Sequence, residues 1–286
     1  MKAVFVAAAI LAAALSPPMA AAGADDAAWT RPVAPFRIVG GIYYVGTEGL
    51  AAYLITSGRR AVLLDGTLDA NALLIERNIE RLGFRLKDVR IILNSHAHRD
   101  HAGAIARLRR DTGAQFYASA GDRWALEHGE HDSDTDYPRG RFPPVPVDHV
   151  IGDGERVALG DVRLTAILTP GHTKGCTTWA TRVIEAGRRL DVVFPCSLTV
   201  AGNILVGNRL YPGIARDFAA SFARLGAVRA DVVLTSHPEV ADVLGREKRV
   251  EAGDANAFVD PGLLPRIVAK SKAGFEAALA KAERGK

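Results

Sequence analysis

The segment ILNSHAHRDHAG, residues 92–103, places three histidines and an aspartate within the six positions from His96 to His101, out of eight histidines in a chain of 286 residues. Neutral imidazoles are strong ligands for zinc and related divalent ions, and a carboxylate is their usual anionic partner. The turn is therefore a candidate metal site, and other histidines brought near by folding could complete it. Two of them follow apolar stretches of strand composition: His172 in LTPGHTKGC, where Pro170-Gly171 marks a tight turn, and His237 in VVLTSHPE. His96 and His98 are two positions apart, so an extended backbone turns both to one side. Asp100 and His101 open a helix, whose unpaired amides and positive dipole end favour the aspartate. Two pairs pointing in different directions suit two adjacent metals. The expected partition is His96, His98 and His172 around one ion, with the fourth tetrahedral position left to water, and Asp100, His101 and His237 around the second. His128, His131 and His149 read as surface or satisfied histidines. Asp132, Asp134 and Asp136 beside His128 and His131 could form a surface metal site, but they read more simply as a solvated loop.

For five histidines to meet, three strand ends must converge. From Phe36 to Asp65 apolar and polar residues alternate between glycine breaks, which predicts antiparallel strands at about 36–39, 42–46, 50–56 and 61–65. Leu73, Ile75, Ile79 and Leu82 then recur at helical spacing and the pattern stops at Gly83. VRIIL reads as a buried strand running into the histidine turn, HAGAIARLRRDTG as a helix, AQFYAS as a strand and AGDRWALEHG as a helix. Residues 131–147 are polar and proline-rich, a loop without secondary structure of its own, and loops of that length usually serve as lids or linkers. Strands follow at about 148–151, 155–158, 162–168, 177–184 and 189–194, then a helix over 210–228, a strand over 231–237 and a closing helix over 262–285. Each half has strands first and helices after, mirrored about the long loop. That order predicts two packed sheets with helices outside, a four-layer α/β/β/α sandwich in a single domain. No glycine-rich phosphate loop follows the first strand, which argues against a nucleotide fold.

Composition sets the surroundings. The chain is 48% hydrophobic, enough for a sizeable core. Its formal charge is +4, but lysines and arginines are interspersed with acids and form no basic stripe, so no nucleic-acid partner is expected. Residues 1–24 carry one cation, Lys2, then an apolar run from Ala3 to Leu15, a Ser16-Pro17-Pro18 break and small-residue cleavage sites ending at Ala22 or Ala24. This is the pattern of a secretory signal, and the run is too short to span about 30 Å of hydrocarbon. The expected mature domain is 25–286, periplasmic and free of the membrane after cleavage. Export favours pairing of the two cysteines, Cys176 and Cys196. Two buried free thiols are the alternative.

The H-x-H-x-D-H turn after a strand, the later G-H-T and the late strand-end histidine resemble the metallo-β-lactamase superfamily, over about residues 29–285. Within it the chain is most similar to the third subclass of class B metallo-β-lactamases, which are dizinc α/β/β/α enzymes. The stretches that carry the resemblance are YYVGTEGLAAYLIT, LLDGT, NSHAHRDHAG, TPGHTKGCTTW, CSLTVAGN and LTSHP. The superfamily also contains thioesterases, lactonases, phosphodiesterases and nucleases. Its glyoxalase-type and phosphodiesterase members place a metal-bridging aspartate on the strand after the G-H-T segment. Here that strand, DVVFPCSLTV, ends in Cys196-Ser197, and its aspartate, Asp191, lies at the beginning, about five residues or ~17 Å away.

The resemblance implies a monomeric β-lactamase with two zinc ions per chain, hydrolysing the lactam amide of penicillins, cephalosporins and carbapenems. It implies the metal ligands already named, with Asp100 also orienting the nucleophilic water. Ser197 aligns with a cysteine ligand of the other lactamase subclasses, and Ser197 and Thr199 would hydrogen-bond the substrate carboxylate. A register shifted by one would instead make Cys196 a ligand, an option that its pairing with Cys176 removes. Asp65, in LLDGT, is expected to accept a hydrogen bond from a ligand imidazole, and Phe142 and Trp29 to form apolar walls. The alternatives are another hydrolase of the same fold, a lactonase or thioesterase, and a non-catalytic exported zinc-binding protein.

Overall fold

Alternating faces explain how both sheets are covered. In the computed structural model, which describes residues 24–136 and 140–285, the segments β1 (Phe36–Val39), β2 (Ile42–Tyr44), β3 (Tyr53–Ser57) and β4 (Arg60–Leu64) pair antiparallel in sequence order. Strands β5 (Val89–Leu93), β6 (Gln115–Ser119) and β7 (His149–Ile151) then add in parallel. Parallel neighbours need long crossovers. These are α2 (Ala72–Arg81), the pair α3 (Arg99–Ala102) and α4 (Ile105–Thr112), and α5 (Ala120–His128) with the loop that follows it. The second sheet consists of β8 (Arg156–Leu159), β9 (Val162–Leu168), β10 (Thr177–Glu185) and β11 (Arg188–Phe194), all antiparallel. After α6 (Ile214–Gly226), the short β12 (Val232–Val233) joins β11 in parallel, and α7 (Val243–Glu251) and α8 (Leu263–Arg284) complete the chain.

In β4, Val62 and Leu64 turn into the space between the sheets with Tyr53, Ile55, Trp179 and Phe194, whereas Ala61 and Leu63 turn outward beneath Ile75, Ile79, Leu108 and Leu126. A strand buried on both faces must read as a continuous apolar run, and AVLL, after the exposed Arg60, does. Beyond the second sheet, Phe275 of α8 lies against Phe218 and Phe222 of α6, with centroids 5.2 and 5.6 Å apart. Each such fully buried side chain contributes roughly 1.5–3 kcal/mol of transfer free energy. The layers are helix, sheet, sheet, helix, as the sequence predicts.

Several expectations change. Strand β7 pairs with β6, so the two sheets divide after Ile151 and not at the long loop. The expected strand over 231–237 shortens to two residues because the backbone beyond it is drawn to the first sheet: Tyr53 Oη donates to Thr235 O (2.7 Å) and Ala51 N to Ser236 O (2.9 Å). The helix expected from His101 begins at Arg99 and breaks after Ala102, where Ala104 N bonds Thr67 O. Helices α1 (Ala24–Thr30) and α7 have no counterpart in the sequence reading. The expected signal segment lies outside the described residues except for Ala24.

The described residues of the loop after α5 form no helix or strand, yet they are docked. Phe142, Val145 and Val147 are buried in the core of the first sheet's outer face. Upstream, Asp136 N bonds Gly202 O (2.9 Å) and Asn208 Nδ2 bonds Ser133 Oγ (2.9 Å). Among the described residues, no helix is long and apolar enough to cross a membrane.

Candidate metal centre

The end of β5 delivers His96 and His98, and the loop after β9 delivers His172. His172 Nε2 stands 3.1 Å from His98 Nδ1, and the His96 ring lies 4.8 Å from that of His98 and 4.7 Å from that of His172. His96 Nε2 is buried with no hydrogen-bond partner among the described residues. Leaving a buried polar atom unmatched costs roughly 1–3 kcal/mol, so its orphaned state is itself a reason to expect a ligand there. In the second group, His101 Nε2, His237 Nε2 and Asp100 Oδ2 form a triangle with edges of 3.2, 3.3 and 3.3 Å. Donors on a tetrahedral ion at about 2.0–2.1 Å stand ~3.3–3.4 Å from one another. The triangle thus has the size of one face of a metal tetrahedron, and the residues fit an ion. The structure brings together both predicted groups, each with donor atoms within 4.8 Å of one another.

Each ring of the first group is oriented through its other nitrogen. His172 Nδ1 is 2.7 Å from Thr199 O, so its N–H donates there and Nε2 keeps its lone pair. His96 Nδ1 is 2.9 Å from Ser95 Oγ, and that hydroxyl donates to Asp65 Oδ2 at 2.7 Å. His98 Nε2 is 2.9 Å from His131 Nδ1. Burial, then the neighbouring His101, His172 and His98, hold the His96 imidazole well below its ordinary value, which keeps it in the neutral, ligating form. In the second group burial alone would raise the Asp100 carboxyl. The charge and hydrogen bond of His101, the hydrogen bond of His237 and the charge of His98 outweigh it and hold the carboxyl well below the usual range. His101 is pushed the other way: burial lowers it, but Asp100 beside it raises it above the ordinary imidazole value. A metal would compete with that proton.

Asp65 works less directly than expected. Its Oδ2 is 3.9 Å from His101 Nδ1, beyond hydrogen-bond reach, so it acts on a ligand mainly through Ser95. A left-handed φ of 65° turns its carboxylate toward the end of β5, where Asn94 Nδ2 and Ser95 N donate to Oδ1 at 2.9 and 2.7 Å. His131 is a correction to the sequence reading. It is no solvated loop residue but the partner of His98, because the docked loop carries it back to the site. The surface metal site considered for that loop is not assembled: Asp132 pairs with Lys174 (2.6 Å), Asp134 accepts from Arg209 N (2.6 Å), and His128 stacks on Trp124. His149 bonds Glu155, away from the centre. Nothing in the local sequence marks His131, since its partner lies 33 residues earlier in the chain.

A cleft of about 490 Å³ opens over the centre. Trp29 and Phe142 line it, with the Trp29 ring 5.9 Å from that of His237 and the Arg99 guanidinium 5.6 Å over Trp29. Ser197 and Thr199 face it with their hydroxyls 3.1 Å apart. Asp100 is the one carboxylate lining the cleft among the described residues. Asp191 is elsewhere on β11, bonded to Arg182 at 2.6 Å. Cys176 and Cys196 form a disulfide with Cα atoms 5.8 Å apart, which takes Cys196 out of the ligand set and ties the segment after His172 to Ser197.

The family model described as the metallo-beta-lactamase superfamily matches residues 46–237. Among solved structures, BJP-1, a subclass B3 metallo-beta-lactamase of Bradyrhizobium japonicum, is similar with a TM-score of 0.87 and 39% identity, over 92% of this chain and 99% of that one. Native FEZ-1 metallo-beta-lactamase from Legionella gormanii is similar with a TM-score of 0.85 and 38% identity, over 89% of this chain and 98% of that one. Among curated proteins, the hydroxyacylglutathione hydrolase of Fuscovulum blasticum is 28% identical over 164 residues, 56% of this chain and 51% of the relative. That of Rhodospirillum rubrum is 32% identical over 172 residues, 58% of this chain and 57% of the relative. The chain spans about half the length of the curated relatives it matches. A family match across both groups of ligating side chains and a fold shared almost end to end with subclass B3 enzymes lead to one conclusion: this chain belongs to the metallo-β-lactamase superfamily.

Proposed function

We propose that the chain is a zinc-dependent β-lactamase that hydrolyses the amide of penicillins, cephalosporins and carbapenems, made with a secretory signal over 1–24 and acting as a periplasmic monomer through a domain over 25–286. Two zinc ions are assigned, one to His96, His98 and His172 and one to Asp100, His101 and His237. When bound, such ions acidify water and polarise a carbonyl, the two things amide hydrolysis at neutral pH requires. The chain supplies the rest. Asp100, ionised, orients the attacking water. Thr199 O, Ser95 and His131 hold the three rings so that their ligating nitrogens converge. Ser197 and Thr199 offer a pair of hydroxyls to the substrate carboxylate, while Trp29 and Phe142 exclude water from the apolar flank.

The observation that carries this reading is the cleft itself: a single carboxylate, Asp100, faces a hydroxyl pair, and among the described residues no second acid lines it to bridge two ions. The extent of likeness agrees, since the B3 lactamases are matched along nearly their whole length and the hydroxyacylglutathione hydrolases along about half. The names of those hydrolases support a second reading, a thioesterase. Zinc-loaded mature protein is expected to hydrolyse a chromogenic cephalosporin and a carbapenem, to lose both activities to a chelator, and to leave a hydroxyacylglutathione thioester nearly untouched. Faster turnover of the thioester than of any lactam would reverse the two readings.

A further inference from the structure

One buried acid near the centre has no place in the chemistry above. Asp122 lies in the first turn of α5 and is 3% exposed. Its Oδ2 accepts from Ala97 N at 2.8 Å and from Thr173 Oγ1 at 2.9 Å, and its Oδ1 accepts from Gly175 N at 2.8 Å. Ala97 sits between His96 and His98, and Thr173 and Gly175 follow His172. One carboxylate therefore joins the two loops that carry all three histidines of the first group. The helix end is pressed against the second loop with no slack. A Cβ on Gly121 would stand 2.4 Å from Lys174 O, and one on Gly175 would stand 2.3 Å from Asp122 N. Ser119 Oγ adds a fourth link, donating to Gly175 O at 2.6 Å.

Charge pairing does not account for this arrangement. Among the described residues no cation pairs with Asp122; the nearby Lys174 is bonded to Asp132. Burial pushes the Asp122 carboxyl up to about 6 even though three donors pull it down, and the charge of Asp132 adds to the rise. The ionised group therefore opposes folding at neutral pH, and a buried charge of that kind is weak support for a fold. What it supplies is fixed geometry.

We propose that Asp122 is a positioning residue for the first metal, its carboxylate setting the distance between the His96–His98 loop and the His172 loop. The inference rests on the metal-centre reading above. A carboxylate is required because both oxygens must accept. An asparagine of the same shape offers one acceptor oxygen, so its NH2 would face either Gly175 N–H or the Ala97–Thr173 pair.

The test compares metal-depleted wild type, Asp122→Asn and Thr173→Val, each refilled with cobalt(II) and followed by visible absorption in competition with a chelator. Asp122→Asn is expected to bind the ion of the three-histidine group roughly 10- to 100-fold more weakly, with an altered absorption band. Its metal-free melting temperature should equal or exceed that of wild type. Thr173→Val, which removes one leg and keeps the carboxylate, should weaken binding by a smaller factor. Unchanged affinity in a folded Asp122→Asn overturns the proposal. So does a weaker affinity accompanied by a markedly lower metal-free melting temperature, which would make Asp122 a general support of the fold. If Asp122→Asn does not fold, Thr173→Val decides by the same criteria. Wild type that binds no cobalt would instead sink the metal-centre reading.

Discussion

The two halves of the centre are built on different principles. The three-histidine half contains no carboxylate and is sealed, with His96, His98 and His172 exposed by 1%, 5% and 5%, and each second nitrogen has a partner at 2.7–2.9 Å. The other half holds a charge and is more open, with His237 and Asp100 side chains exposed by 25% and 14%. Its rings are also less firmly oriented: Asp65 is 3.9 Å from His101 Nδ1 and Glu239 is 3.8 Å from His237 Nδ1. One half is pre-organised by short hydrogen bonds, the other assembled by the attraction of a carboxylate. The first ion should therefore be the tenaciously held one.

Removing a ligand from the pre-organised half should have the largest effect. His172→Ala is expected to lower kcat by well over 100-fold, more than the roughly 10- to 100-fold typical of losing a supporting residue, and metal analysis should show the first ion missing. Retained kcat with two ions bound would break the comparison at its root. His237→Ala should cost less. Its second ion should be lost on dialysis and partly restored, with activity, by added zinc; an effect as severe and unrescuable as that of His172→Ala would erase the distinction.

A pH titration sharpens the contrast without any metal. Because the Asp122 carboxyl is raised from 3.8 to about 6, the folded chain binds more protons than the unfolded chain between those values. Stability owing to this group therefore falls as pH rises through that window, by something on the order of 3 kcal/mol. Denaturant unfolding of metal-free wild type against Asp122→Asn should show the variant gaining relative stability from pH 4 to pH 7; parallel curves would mean that the acid is not strained by burial. The smallest effect should come from Ser197→Ala, which on the proposed reading would remove one charge-assisted hydrogen bond to substrate worth about 1.5–3 kcal/mol. It should appear as a raised KM with kcat and metal content unchanged. Loss of the second ion would show that Ser197 belongs to the metal centre and not to the substrate.

The same contrast explains what the sequence could reveal. The six metal-binding candidates are legible because their residue types are rare and their positions, at strand ends, follow from local apolar runs. The sandwich is legible for a similar reason, since AVLL (61–64) and IIL (91–93) are unbroken apolar runs that suit interior strands. The supports are not legible. His131, Ser95 and Asp122 are ordinary polar residues whose partners lie on other elements, and no local period records a contact such as that of Asp122 with Gly175, 53 residues away. Asp65 falls between: its place at the end of β4 marked it as a helper, but only the fold shows that Ser95 stands between it and the ligand. The assignment of β7 to the first sheet was hidden too, because pairing partners leave no trace in a three-residue strand.

Trp29 gives the molecule a built-in optical reporter. The chain has three tryptophans: Trp124 stands 45% exposed beside His128, and Trp179 is fully enclosed with its indole N–H on Asn94 O at 3.1 Å. Only the third borders the cleft, 5.9 Å from the His237 ring and beneath the Arg99 guanidinium. Emission from that indole senses an ion bound beside it and the entry of anything that displaces water from the apolar flank. Loading of the more open half, and arrival of a ligand, can thus be followed in unlabelled protein by fluorescence, with Trp29→Phe, which keeps the two distant indoles, as the unresponsive control.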